Sequence, residues 1–119
     1  MNYLVRRIRI WYKDRQWADR TFRELIDAMP KEYVIYTIES VNELSAVFLD
    51  SSTLRMVPAR DSSRADRASE IYIQSGIDPE TIKTIITPSL LRGGRGPRVI
   101  ENAKDIWSGG MSLRTYMEV

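Results

Sequence analysis

The chain has 119 residues, 43% hydrophobic and 29% charged, with a net charge of +2. That is enough for one compact domain with a single core. It has no cysteine and no histidine, which removes disulfides, thiol nucleophiles, Cys- or His-based metal sites and the commonest general base.

The charge is unevenly spread. Residues 1–23 carry Arg6, Arg7, Arg9, Lys13, Arg15, Arg20 and Arg23 against Asp14 and Asp19, while residues 24–54 set six acidic groups against Lys31. Arginine, the side chain suited to bidentate contact with phosphate or carboxylate, outnumbers lysine fourteen to four. The two charged thirds either pair with each other or leave a phosphate- or nucleic-acid-binding surface. No apolar run is long enough to span a membrane, and the N-terminus does not read as a signal peptide, so a cytoplasmic protein is expected.

In chain order, residues 3–12 alternate Ile8 and Ile10 with Arg7 and Arg9, a strand pattern. A polar stretch over 13–20 follows. From Thr21, the spacing of Phe22, Leu25, Ile26 and Met29 predicts a helix ended by Pro30. Tyr33–Ile38 reads as a second strand. Ala46–Leu49 and Thr53–Val57 read as a hairpin turned at Asp50-Ser51-Ser52 and closed by Pro58. Residues 59–69 are polar, a loop or short exposed helix, and Ile71–Ile73 is a short buried strand.

Asp78-Pro79-Glu80 is a helix start, with Ile82, Ile85 and Ile86 on its apolar face. Leu90-Leu91 adds a further turn, Arg92–Arg98 is a basic glycine-rich loop, and Val99-Ile100 forms another strand. Ala103–Trp107 precedes a Gly109-Gly110 break, and Met111–Val119 is a short helix or strand. The expected fold is a small α/β domain: a mostly parallel, mixed sheet with flanking helices, a P-loop NTPase-like core and a β-hairpin at or near one edge. The expected core is Val5, Ile8, Ile10, Phe22, Leu25, Ile26, Val34, Ile35, Ile38, Ile71, Ile73, Ile82, Ile85, Val99 and Ile100.

Three segments carry candidate chemistry. Asp14, Arg15, Gln16, Asp19, Arg20 and Thr21 occupy the strand-to-helix position of a phosphate-binding loop. Such a loop needs glycines so that backbone N–H groups can wrap phosphate, a lysine, and a hydroxyl for magnesium. Here both glycine positions are aspartate and the lysine is Arg20; only Thr21 keeps its type. The plain alternative is a polar turn capped by Asp19 or Thr21. The second segment runs from Ser52 to Ser75. The third is Arg92, Arg95 and Arg98 together with Arg60, Arg64 and Arg67, a nucleic-acid-binding candidate with Trp17 and Trp107 as stacking surfaces; Trp11 and Tyr12 read as core or interface aromatics.

The second segment carries a resemblance. Its order is a hairpin ending Val57-Pro58-Ala59, then Arg60, then Arg64-Ala65-Asp66-Arg67, then the apolar strand to Gln74-Ser75. This resembles the ATPase domain of phage large terminases, the DNA-packaging motor, in which a similar hairpin leads through an "RG-x-RAD" stretch to a Walker B strand ending in Asp-Glu. Arg15-Gln16 and Arg20-Thr21 stand near the place of that family's "RQ-x-GKT" loop. Pro79–Leu91 is similar to the helix after Walker B, so the likeness in order covers roughly residues 5–102.

The departures fall on the catalytic positions. Where the family has Asp to hold magnesium and Glu to orient water, this chain has Gln74 and Ser75. The resemblance therefore implies a single degenerate terminase-ATPase-like domain over residues 1–119, with no catalytic residue, metal or cofactor. It would be a phage- or prophage-related protein that binds a protein partner or itself, in DNA packaging or host regulation. The alternative classes are an arginine-rich nucleic-acid binder, and an NTP-binding enzyme in which Arg20 replaces lysine and Thr21 holds magnesium.

Overall fold

A computed structural model describes residues 5–60, 67–108 and 111–112. The elements are β1 (Arg7–Tyr12), α1 (Arg15–Asp27), β2 (Val34–Glu39), β3 (Leu44–Phe48), β4 (Thr53–Pro58), β5 (Ala68–Gln74), α2 (Pro79–Thr81), β6 (Leu90–Ile100), α3 (Asp105–Ser108) and β7 (Met111–Ser112). A 3-10 turn (Lys31–Tyr33) precedes β2. α2 continues as a π-helical segment (Ile82–Ile86) and a 3-10 turn (Thr87–Ser89).

The strands form one mixed seven-stranded sheet in the order β2-β3-β4-β1-β5-β6-β7. β4, β1, β5 and β6 run parallel. The β2-β3, β3-β4 and β6-β7 pairs are antiparallel. The expectation of a mostly parallel sheet thus holds for the central four strands only. β1 is the centre, with Ile8, Arg9, Ile10 and Trp11 all buried; Ile8 and Ile10 pack under α1 on one face and Trp11 under the α2 segment on the other.

Side-chain alternation divides the core in two. Ile8 and Ile10 of β1 join Phe22 and Leu25 of α1, Phe48 of β3 and Ile106 of α3 on one face. Trp11, Ile71 and Ile73 join Ile82 and Ile86 on the other. The members of this second core lie on β1, β5, the end of β4, the β5-α2 connection at Ile77 and the α2 segment, so the β2-β3 side of that face lacks the α2 cover. Of the expected core, Val5, Ile35 and Ile38 are exposed. β2 is the edge strand, and apolar composition does not say which side chains have a layer to pack against.

Helix α1 begins at Arg15, six residues before Thr21. Trp17 and Ala18 extend the buried stripe of Thr21, Phe22 and Leu25, while Asp19, Arg20 and Arg23 face solvent. Its cap is Asp14, whose carboxylate accepts from the Gln16 N–H at 3.0 Å, and not Asp19 or Thr21. Pro30 follows the end, as expected.

The segment expected as a turn and basic loop, Leu90–Arg98, is the first part of β6. Its pairing with β5 is irregular, moving from Ala68↔Leu90 to Glu70↔Arg95 and Tyr72↔Arg98. The glycines allow this strand to approach its neighbour. A Cβ on Gly94 would lie 2.9 Å from the Ser69 carbonyl, and one on Gly96 would lie 2.6 Å from that of Ile71.

Candidate functional site at the carboxyl ends of the parallel strands

In an open α/β sheet, ligands are taken up beyond the carboxyl ends of the strands, where successive connections leave on opposite faces. Here β1 leads into α1 on one face and β5 leads into α2 on the other, so the switch point lies between β1 and β5. The turn Lys13-Asp14 and the strand end Gln74-Ser75-Gly76 meet there.

That position is wired internally. The Gln74 side chain, 8% exposed, uses Oε1 to accept from the Lys13 N–H at 2.8 Å and the Asp14 N–H at 3.2 Å. Those are the amides a phosphate loop would turn toward its ligand. Asp14 fills the helix N-terminus with its own carboxylate. The Lys13 side chain lies over Gly76, where a Cβ would come within 2.4 Å of Nζ. On the far side, Trp17 donates through Nε1 to the Glu101 carbonyl at 2.8 Å, and Asp105 accepts from the N–H groups of Glu101 and Asn102.

The phosphate-loop candidates are placed accordingly. Arg15, Gln16, Asp19, Arg20 and Thr21 all lie within α1, and the strand-to-helix turn is only Lys13-Asp14. An eight-residue loop around a phosphate has no room. Thr21 is 2% exposed, packed in the buried stripe a turn and a half into the helix, and Arg20 is exposed to solvent. The pair cannot serve one magnesium–phosphate unit.

Arg15 is committed to the scaffold: Nε donates to Asp19 Oδ1 at 2.9 Å, Nη1 to the Val41 carbonyl at 2.7 Å and Nη2 to that of Ser40 at 2.6 Å. The Asp19 hydrogen bond, with the charge behind it, raises its pKa further above the ordinary value. Ser75 is half-buried and its N–H donates to the Ile100 carbonyl. Among the described residues no three acidic side chains gather to hold a metal ion.

Among the described residues, the arginines proposed for nucleic acid do not converge. Arg60 follows the carboxyl end of β4, whereas Arg67 and Arg92 lie at the opposite end, where β5 and β6 begin. A strand of six or seven residues, about 20 Å, separates them. Arg98 is two residues from the carboxyl end of β6, opposite Tyr72 and three strands away from β4. Arg64 lies outside the described residues, as does the side chain of Arg95. Trp17 is buried with its indole N–H bonded, so it offers no stacking face; the Trp107 side chain lies outside the described set.

Several openings face solvent beside basic groups. A hollow of about 360 Å³ at the ends of β1 and β4 is lined by Tyr12, Lys13, Arg15 and Arg60. A groove of about 400 Å³ lies on the sheet face over β1 to β4, with Arg7, Arg9 and Arg55 in its lining. Sequence reasoning missed the second, although alternation alone puts Arg7 and Arg9 on one face. Pairing of β1 with β4 brings Arg55 to them, and that register is a tertiary fact.

No family model, no curated protein and no solved structure matches this chain. Among the described residues, no helix is long and apolar enough to cross a membrane.

Proposed function

We propose that the chain is a non-catalytic binding protein of phage or prophage origin, with the scaffold of a terminase-type ATPase and none of its chemistry. The observation that carries this reading is the double acceptance by Gln74 Oε1 of the Lys13 and Asp14 N–H groups. A neutral side chain at the Walker B-like position holds the donors that would otherwise cradle phosphate. The ordered likeness of residues 5–102 supports the scaffold, as does the parallel adjacency of β1 and β5, with Trp11 opposite Ile73.

The partner in this reading is a second copy, met along the edge strand β2. Ile35 is 56% and Tyr36 53% exposed there, and the outer main-chain edge faces away from β3. Two copies paired antiparallel about Thr37 would set Tyr36 opposite Ile38, exposed side chains of the same sheet face. The same register places Glu39 opposite Ile35, so that the two acidic groups do not meet.

Titration with ATP and magnesium, followed by heat and by phosphate release, is expected to give neither binding nor turnover. Micromolar affinity with turnover would overturn the non-catalytic reading. Sedimentation equilibrium is expected to show a dimer that Ile35→Glu, which sets a second carboxylate opposite Glu39, dissociates. A wild-type monomer at high micromolar concentration would remove the second copy as partner.

A further inference from the structure

The open sheet face over β1 to β4 has an order that the proposed scaffold role leaves unused. Strand register arranges its side chains in two rows across four strands. One row runs Tyr36, Val47, Thr53, Arg7 and the other Ile38, Ser45, Arg55, Arg9. Each row begins apolar on β2, passes a hydroxyl on β3 or β4, and ends in guanidinium on β1. The span is three strand spacings, about 14 Å.

The two rows form one groove of about 400 Å³, within the ~300–1,000 Å³ usual for small-ligand sites. Among the described residues, three arginines and one carboxylate, Glu43, line it. Arg9 is 4% exposed, and its Nη1 donates to the Ile8 carbonyl at 3.0 Å and to Thr53 Oγ1 at 3.2 Å. That bonding fixes the guanidinium in the floor of the groove. Arg55 stands beside Arg9 in parallel register, so two guanidinium groups share one end of the groove.

We propose that this groove binds a nucleotide through its phosphate. The phosphate sits over Arg55 and Arg9, where planar guanidinium donors match its oxygens. Ser45 and Thr53 flank the sugar. The base lies toward β2 against Tyr36, which is half exposed and presents an aromatic face beside Ile38. Inorganic phosphate would satisfy the arginine end alone. A free nucleoside monophosphate and one unit of a single strand share the recognised chemistry. This site is on the sheet face and does not depend on the carboxyl-end crevice or on the β2 edge contact.

The test is a titration of the isotopically labelled full chain, with amide resonances as the readout. The probes are inorganic phosphate, uridine monophosphate and a single-stranded oligothymidylate. Saturable shifts at Arg7, Arg9, Tyr36, Ser45 and Arg55 are expected with the nucleotide probes. Arg55→Gln, which keeps a polar half-buried side chain, should weaken binding about tenfold or more through loss of a charge-assisted hydrogen bond. Tyr36→Ala should weaken nucleotide binding and leave inorganic phosphate unchanged. Saturation by the mononucleotide assigns the site to free nucleotides; response to the oligonucleotide alone assigns it to a single strand. Absence of saturable shifts at these positions with both nucleotide probes at millimolar concentration, or shifts that Arg55→Gln leaves unaltered, would overturn the proposal.

Discussion

Gln74 Oε1 accepts from two consecutive main-chain donors, the N–H groups of Lys13 at 2.8 Å and of Asp14 at 3.2 Å. One amide oxygen therefore fixes the turn that joins β1 to α1. Replacing Gln74 by Ala would take the acceptor from two part-buried main-chain donors and should cost about 0.5–1.5 kcal/mol, measurable as a lower urea midpoint. The combined change Gln74→Asp and Ser75→Glu rebuilds an acidic pair in sequence only. Because α1 starts immediately after Asp14, phosphate release from ATP is expected to stay at background.

Arg15 uses three separate donors to hold Asp19 and the carbonyls of Ser40 and Val41. It ties the β2-β3 turn to the first turn of α1. Arg15→Ala should leave global stability within about 1 kcal/mol, since the contacts are at the surface. The turn at Ser40–Glu43 should instead become a site of early cleavage in limited proteolysis. If the cleavage pattern matched wild type, this tether would have no role.

How far the fold could be read in advance depended on whether the deciding interaction was local. β1, β2, the hairpin and the Asp78-Pro79 helix start were legible because alternation, turn chemistry and capping act over a few residues. The start of α1 was misplaced because Arg15, Asp19 and Arg20 look like a turn until Trp17 and Ala18 are seen to continue the buried stripe. Arg92–Arg98 looked like a loop because glycines usually mark one. Here Gly94 and Gly96 lie against the β5 backbone, a fact of pairing with residues more than twenty positions away. The arginine groove was invisible for the same reason: its rows exist only once four strands are in register.

Glu70 is buried beside Arg6, which donates to it through Nε and, at 2.9 Å, through Nη2; the Tyr72 hydroxyl donates to the same carboxylate at 3.1 Å. This bonding holds the Arg6 pKa well above its ordinary value. Arg6 is itself nearly half exposed, so water softens the penalty of removing it. Arg6→Ala should destabilise by about 1–3 kcal/mol. Adding Glu70→Gln should recover part of that loss, because the buried charge that Arg6 helps to offset is gone. A double-mutant cycle with purely additive effects would show that the two side chains are not coupled.

Gly93, Gly94 and Gly96 should respond differently to alanine. Gly93 has φ +78 and nothing within 4 Å of an added Cβ, so Gly93→Ala should cost only backbone strain, about 1–2 kcal/mol. Gly96 combines φ +118 with the close Ile71 carbonyl and should cost more. Gly94→Ala would meet the Ser69 and Leu91 carbonyls at under 3 Å, an overpacking penalty of about 1–3 kcal/mol. Thermal unfolding of the three variants should rank Gly96→Ala as the least stable. Equal midpoints would mean that β6 does not lie this close to β5.

Tyr33 and Asp50 should limit stability at opposite ends of the pH scale. The Tyr33 hydroxyl donates to Asp50 Oδ2 at 2.9 Å, and the Asp50 carboxylate also accepts from the Ser52 N–H at 2.9 Å. Burial, with the Asp50 hydrogen bond and charge, raises the Tyr33 pKa above its ordinary 10.0. The Ser52 N–H, more than any other partner, lowers that of Asp50 below 3.8. A raised tyrosine favours the fold while protonated, so its contribution is complete below pH 10 and is lost as pH rises through the folded-state value. A lowered aspartate favours the fold while ionised, so its contribution is complete above pH 3.8 and is lost as pH falls through the folded-state value. Urea midpoints measured against pH should therefore fall less steeply above pH 10 in Tyr33→Phe than in wild type. Asp50→Asn should flatten the acid limb below pH 3.8 in the same way, and parallel curves for wild type and both variants would refute the linkage.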